Sequence, residues 1–165
     1  MDKVKAKKQL GQHFLKDRNI AAAIVRSLDA GGCNSVLEIG PGMGVLTGLL
    51  SERHFPHFRV VEIDRESVDY LRNNFGTELE IIQGDFLALN LEDVAPGNMA
   101  IIGNFPYNIS SQIFFKVIEN RSKVTEVTCM IQREVAQRIC SAPGSKVYGI
   151  LSVLLQAWYD IDYLF

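Results

Sequence analysis

The sequence predicts an α/β protein, a mostly parallel sheet with helices on both faces. Three observations carry this. From residue 35 onward, short apolar runs alternate with helical stretches, the order that builds parallel sheets from strand–helix–strand units. A glycine-rich loop, Gly40-Pro41-Gly42-Met43-Gly44, leaves the first apolar run and opens a helix. Acidic residues and a polar loop then stand at the ends of later runs, where open α/β sheets bind their ligands.

Each element has its own signal. Asp17–Leu28 reads as a helix capped by Asp17. Ser35–Ile39, Phe58–Ile63, Leu79–Gln83, Met99–Gly103 and Val124–Gln132 read as strands. Val45–Arg53, Arg65–Phe75, Arg133–Ser141 and Gly149–Ala157 fit helices, and so does Ser110–Glu119, with Ser110 or Ser111 as N-cap. Tyr159–Phe165 ends the chain in strand-like alternation. No internal repeat, low-complexity tract or long linker interrupts this order.

The chain has 165 residues, 47% apolar and 22% charged, a balance that suits one globular domain. A net charge of −2 excludes an overall basic field for nucleic acid. The charge is uneven, however. Lys3, Lys5, Lys7, Lys8, Lys16 and Arg18 against Asp2 and Asp17 give the first 18 residues +4, which leaves −6 for the rest. This basic arm, residues 1–16, either grips phosphate or solubilises the chain. Cys33, Cys129 and Cys140 are odd in number and form no CxxC pair, which points to reduced, buried thiols in a cytoplasmic protein. No apolar run reaches membrane-span length, and no signal core follows the basic N-terminus.

Four motifs carry chemistry. Glu38-Ile39-Gly40-Pro41-Gly42-Met43-Gly44 has GxGxG spacing with Val at position 45, which departs from the GxGxxG dinucleotide fingerprint. Its glycines let a backbone approach a ligand; read alone, it is a tight turn. Glu62 lies 20 residues beyond Gly42, where a carboxylate accepts bonds from both hydroxyls of a ribose. Its neighbour Asp64 fits a helix N-cap. Asp85 closes the third strand in Gln83-Gly84-Asp85-Phe86, placed to accept from an adenine amino group, with Phe86 packing on the ring.

The fourth motif, Gly103-Asn104-Phe105-Pro106-Tyr107-Asn108-Ile109-Ser110, leaves a fully apolar strand. The exocyclic amine of adenine is a poor nucleophile because its lone pair is delocalised into the ring. Acceptors at the Asn104 side chain and at a backbone carbonyl of Phe105 or Pro106 would draw that nitrogen towards tetrahedral geometry. Pro106 stiffens the loop. Tyr107 offers a flat ring for an extruded base, a contact worth about 1–3 kcal/mol. Asn104, Pro106 and Tyr107 are the expected catalytic residues.

Together with Gln9-Leu10-Gly11-Gln12-His13-Phe14-Leu15 and Lys146-Val147-Tyr148-Gly149-Ile150-Leu151-Ser152, these motifs resemble the ribosomal RNA adenine dimethyltransferases. These are class I methyltransferases, Rossmann-like in fold, marked by an (N/D/S)-x-P-Y loop. Bacterial members dimethylate two adjacent adenines near the 3′ end of small-subunit (16S) rRNA, and their loss gives kasugamycin resistance. The resemblance spans essentially the whole chain. It implies S-adenosylmethionine as cofactor, with contacts from His13 and Leu15 (largely through backbone), Gly40, Glu62, Asp85 and Asn104. The residues themselves add Gly42 and Phe86. It implies small-subunit rRNA, in the immature 30S subunit, as partner; no metal ligand set is expected.

Two departures accompany it. Phe105 stands where many relatives have an aliphatic residue. The family also continues past the equivalent of residue 165. It adds a last antiparallel strand, inserted between the strand near Val124–Gln132 and the one near Tyr159–Phe165, then a second aromatic contact for the base and a small RNA-gripping helical domain. By this resemblance, residues 1–165 form a C-terminally truncated S-adenosylmethionine-binding catalytic domain. Rival functions are a large-subunit rRNA methyltransferase conferring antibiotic resistance, a DNA adenine methyltransferase and a non-catalytic RNA-binding assembly or transcription factor.

Overall fold

A computed structural model describes residues 6–165; Lys3 and Lys5 of the basic arm lie outside that range. Five strands form one sheet: β1 (Ser35–Ile39), β2 (Phe58–Glu62), β3 (Glu80–Gln83), β4 (Met99–Asn104) and β5 (Val124–Met130). Their order is β3-β2-β1-β4-β5, and every neighbouring pair is parallel. Seven helices connect and cover them: α1 (Arg18–Ser27), α2 (Val45–Ser51), α3 (Arg65–Phe75), α4 (Leu91–Val94), α5 (Ser110–Glu119), α6 (Arg133–Ile139) and α7 (Ile150–Gln156). The expected α/β fold with helices on both faces is present.

The strands read as unbroken apolar runs because both of their faces are buried. Side chains alternate across the sheet. On one face Val36, Ala100 and Ile102 pack with Ala21, Ile24 and Val25 of α1 and with Leu46 and Leu50 of α2. On the other, Leu37, Ile39 and Ile101 pack with Ile113, Phe114 and Val117 of α5 and with Leu151 and Leu155 of α7. Val60 packs with Leu71 of α3. Each such burial stabilises by about 1.5–3 kcal/mol before chain entropy is subtracted. Phe105, the departure from the family pattern, is a fully buried member of the second face; its ring meets Phe114 edge-on at 5.7 Å.

Local signals hold in places and fail in others. Asp17 caps α1, its carboxylate accepting from the backbone N–H groups of Asn19 at 2.8 Å and Ile20 at 3.2 Å. Neither Ser110 nor Ser111 caps α5. The N-cap is Ile109, whose N–H is already turned to the Pro106 carbonyl at 3.2 Å, and Ser110 is buried as the first helical residue. The four-residue α4 went unpredicted; Asn90 caps it by accepting from the Glu92 N–H. The three cysteines are free and half-buried rather than buried.

Tyr159–Phe165 is not a strand. Alternation alone supplies no backbone partner, and β5 pairs only with β4. A groove of about 670 Å³ runs between β5 and this segment. Side chains hold the segment instead: the Tyr159 hydroxyl donates to the Val124 carbonyl at 2.8 Å, and Ile161 packs on the core. Among the described residues, no helix is long and apolar enough to cross a membrane.

Candidate active site

The chain leaves β1 towards β2 and β3 on one side, then returns to place β4 and β5 on the other. This reversal opens a crevice at the carboxyl ends of β1 and β4. A cavity of about 1300 Å³ lies there. His13, Leu15, Gly40, Gly42, Glu62, Asp85, Phe86 and Asn104, the eight residues expected to hold a cofactor, all line it, as does Pro106. Tyr107 does not.

The glycine loop is shaped from two sides. Gly42 has φ +55°, and a Cβ there would stand 2.8 Å from the Phe14 ring. Only glycine fits under Phe14 with that backbone. Its N–H donates to Glu62 Oε2 at 3.1 Å, while Glu62 Oε1 accepts from the Asp64 N–H at 2.9 Å. Glu62 thus anchors the loop and keeps further lone pairs on both oxygens. Burial raises its pKa, opposed by those two N–H bonds, which favour the ionised form.

Asp64 caps α3 through Ser67, as its position suggested. Lys7 reaches the same carboxylate at 2.5 Å and Glu66 at 3.0 Å. Burial alone would raise the Asp64 pKa; the Lys7 ammonium and Ser67 overcome it and hold the carboxyl below its usual value. Lys7 therefore straps the N-terminal segment to the start of α3, a contact the charge count of the arm does not indicate.

Asp85 is exposed at the end of β3. Its Oδ1 accepts from the Leu87 N–H at 2.9 Å, which leaves Oδ2 towards other partners. Phe86 reaches the cavity wall but is 4% exposed and belongs to the core. Ile63, a lining residue that sequence reasoning missed, is 52% exposed directly after Glu62. Its apolar side chain opens onto the cavity beside Glu62. Its only sequence signal is its place between two acids in Val61-Glu62-Ile63-Asp64.

The loop after β4 meets the N-terminal segment. Asn104 ends β4, and its Nδ2 donates to the His13 carbonyl at 2.5 Å. That bond fixes the amide, and Oδ1 is buried with no partner. The Phe105 N–H donates to Met130 of β5 at 3.0 Å, and the Tyr107 N–H to the Gly11 carbonyl at 3.4 Å. The His13 ring stacks on Tyr107, with centroids 4.3 Å apart and planes 21° apart. Gly11 has φ +61°, and a Cβ there would collide with the Asn108 side chain, so glycine lets the two segments touch.

Glu38 lies beneath the glycine loop, fully buried. Thr47 Oγ1 donates to its Oε2 at 2.7 Å. Burial, with the nearby Glu62 charge adding to it, pushes its pKa up to about 8. Among the described residues, no group of three or more His, Cys, Asp or Glu side chains could hold a metal.

Glu38 gives a pH prediction. Between the ordinary carboxyl value of 4.5 and about 8, the folded chain holds a proton that the unfolded chain has released. Stability should fall as pH rises through that window. Glu38→Gln keeps an acceptor for Thr47 and cannot ionise. Urea unfolding at about pH 6 and about pH 9 should show a smaller loss of stability in Glu38→Gln than in the parent; equal losses would contradict the assignment.

Comparison with known proteins places this site in a family. Residues 3–165 match ribosomal RNA adenine dimethylase. The chain is 57% identical to the ribosomal RNA small subunit methyltransferase A of Parabacteroides distasonis, over 98% of this chain and 61% of that protein. It is 57% identical to the same-named protein of Flavobacterium johnsoniae, over 100% and 64%. It therefore spans less than two thirds of the length of these relatives. Among solved structures, a dimethyladenosine transferase from Plasmodium falciparum superposes with a TM-score of 0.73 at 28% identity, covering 87% of this chain and 52% of that one. The 23S rRNA methyltransferase ErmE superposes with 0.65 at 30% identity, covering 76% and 50%. The chain belongs to the ribosomal RNA adenine dimethylase family.

Proposed function

We propose that this chain carries the catalytic site of an S-adenosylmethionine-dependent rRNA adenine N6,N6-dimethyltransferase. It acts in the cytoplasm on two adjacent adenines near the 3′ end of 16S rRNA in the immature 30S subunit. One observation carries this reading: the Oδ1 of Asn104 is a buried acceptor without a partner, in the wall of a cavity bounded by a glycine loop and two strand-end acids. A buried polar atom left unpaired costs about 1–3 kcal/mol, and an incoming N–H donor removes that cost.

The residues present fit the cofactor. Glu62 offers both carboxylate oxygens to ribose hydroxyls. Asp85 Oδ2 offers an acceptor to the adenine amine, and Ile63 an apolar face to its ring. The Gly40–Gly44 backbone leaves room for close approach, and the segment from His13 to Leu15 walls the opposite side. When bound, S-adenosylmethionine supplies an electrophilic methyl group on sulfonium.

The chain's own residues prepare the nucleophile. Asn104 Oδ1 accepts one N–H of the target adenine amine. The Pro106 carbonyl accepts the other, because the Ile109 N–H occupies only one of its two lone pairs. Two acceptors at the amine localise its lone pair, and their positions are set before substrate arrives. Tyr107 supplies a ring for base stacking. Similarity at 52–57% to small-subunit enzymes, against 30% to ErmE, favours small-subunit RNA over the large-subunit alternative.

Two variants separate binding from chemistry. Glu62→Gln places an amide where two backbone N–H groups now donate, so S-adenosylmethionine affinity measured by calorimetry should drop by about 1–3 kcal/mol; unchanged affinity would remove Glu62 from the cofactor site. In the full-length enzyme, Asn104→Ala should lower methyl transfer to undermethylated small subunits by about 100-fold or more while the protein stays folded. Near-normal turnover would contradict the mechanism. Preferential transfer to large-subunit RNA or duplex DNA by the parent enzyme would contradict the substrate assignment.

A further inference from the structure

Tyr107 is shielded from the cavity it is meant to serve. The cavity wall includes Asn104, Pro106, Asn108 and Ile109, residues on either side of Tyr107, but not Tyr107 itself. His13 is in the wall instead, and its ring lies flat on the tyrosine at 4.3 Å with a 21° tilt. Two flat rings stacked in this way attract, and a nucleobase also stacks face to face on an aromatic platform.

We propose that the His13 imidazole occupies the seat of the target base and must leave it before adenine can stack on Tyr107. The inference rests on the proposed function, since it takes Tyr107 as the base's platform.

Three features support a departing ring over a permanent support. The His13 side chain is exposed, so it has free space to rotate into. Its backbone is held independently of the ring: the His13 carbonyl accepts from Asn104 Nδ2, the neighbouring Gly11 carbonyl accepts from the Tyr107 N–H, and Phe14 packs over Gly42. Ring rotation therefore leaves the catalytic amide in place. The ring contact itself is a single aromatic pair, worth a small multiple of thermal energy, which base stacking of similar or greater worth can replace. A cap of this strength keeps the tyrosine face covered until a base competes for it, and it disfavours groups that stack weakly.

The test uses the 165-residue chain saturated with S-adenosylhomocysteine, so that the adenine end of the cofactor site is filled, and titrates adenosine by NMR. In the free protein the His13 ring protons should be shifted upfield by the Tyr107 ring current. On adenosine binding that shift should collapse while the Tyr107 ring resonances move. His13→Ala, saturated with S-adenosylhomocysteine like the parent, should bind adenosine about two- to twelvefold more tightly, by the worth of one aromatic pair. His13→Phe, which keeps a stacked ring, should not show the gain. Movement of Tyr107 with His13 still upfield, or equal or weaker adenosine binding by His13→Ala, would overturn the proposal and leave the function intact. No response at Tyr107 in either protein would overturn both the proposal and the assignment of Tyr107 as the base's platform.

Discussion

The hydrogen bond from Asn104 Nδ2 to the His13 carbonyl joins parts of the chain that share no secondary structure. One end belongs to the segment before α1, the other to the last residue of β4. Its donor is the amide nitrogen, so the amide oxygen is turned the other way, into a buried position without a partner. Exchange of oxygen and nitrogen would bring two acceptors together at His13 and put a donor in the buried position that Oδ1 holds. The bond therefore sets the chemical sense of the site. The rest of the N-terminal segment serves it: Lys7 ties to Asp64 and Glu66, Gly11 to Tyr107, and Phe14 covers Gly42.

The floor of the cavity is governed by charge. Glu38 and Glu62 lie on neighbouring strands, both nearly inaccessible to water. Two buried carboxylates at close quarters cannot both ionise cheaply. Their surroundings separate them. Glu62 accepts two backbone N–H bonds, whereas Glu38 has one hydroxyl donor and complete burial. The proton goes to Glu38, with a pKa of about 8, and Glu62 accepts from the backbone N–H groups of Gly42 and Asp64. Asp64, the third acid in this corner, takes the lysine. Three acids within a few residues of the cleft thus carry three different duties: proton holder, anchor of the glycine loop, and helix cap with ion pair.

The strand-end positions were legible because the chemistry sits where apolar runs stop. Gly40, Glu62, Asp85 and Asn104 all follow from that rule, and all line one cavity. Periodicity also gave the five strands within a residue or two. Contacts between distant segments were not legible. Lys7 and Asp64 are 57 residues apart and His13 and Asn104 are 91 apart, and nothing in local pattern links them. The charge count of the basic arm therefore gives no sign of the Lys7–Asp64 pair. Ser110 looked like a cap by composition, but the Pro106–Ile109 turn had already taken that role. Tyr159–Phe165 has the alternation of a strand without a partner to pair with, and alternation alone forms no ladder.

The proposed chemistry stands on one acceptor, Asn104 Oδ1. Crystals of the chain with S-adenosylhomocysteine and adenosine would locate the adenine amine directly. The account predicts the exocyclic nitrogen within about 2.7–3.2 Å of Asn104 Oδ1, with Asn104 Nδ2 still bonded to the His13 carbonyl. An adenine stacked on Tyr107 whose amine faces away from Oδ1, or an amide turned so that Nδ2 meets the amine, would contradict it.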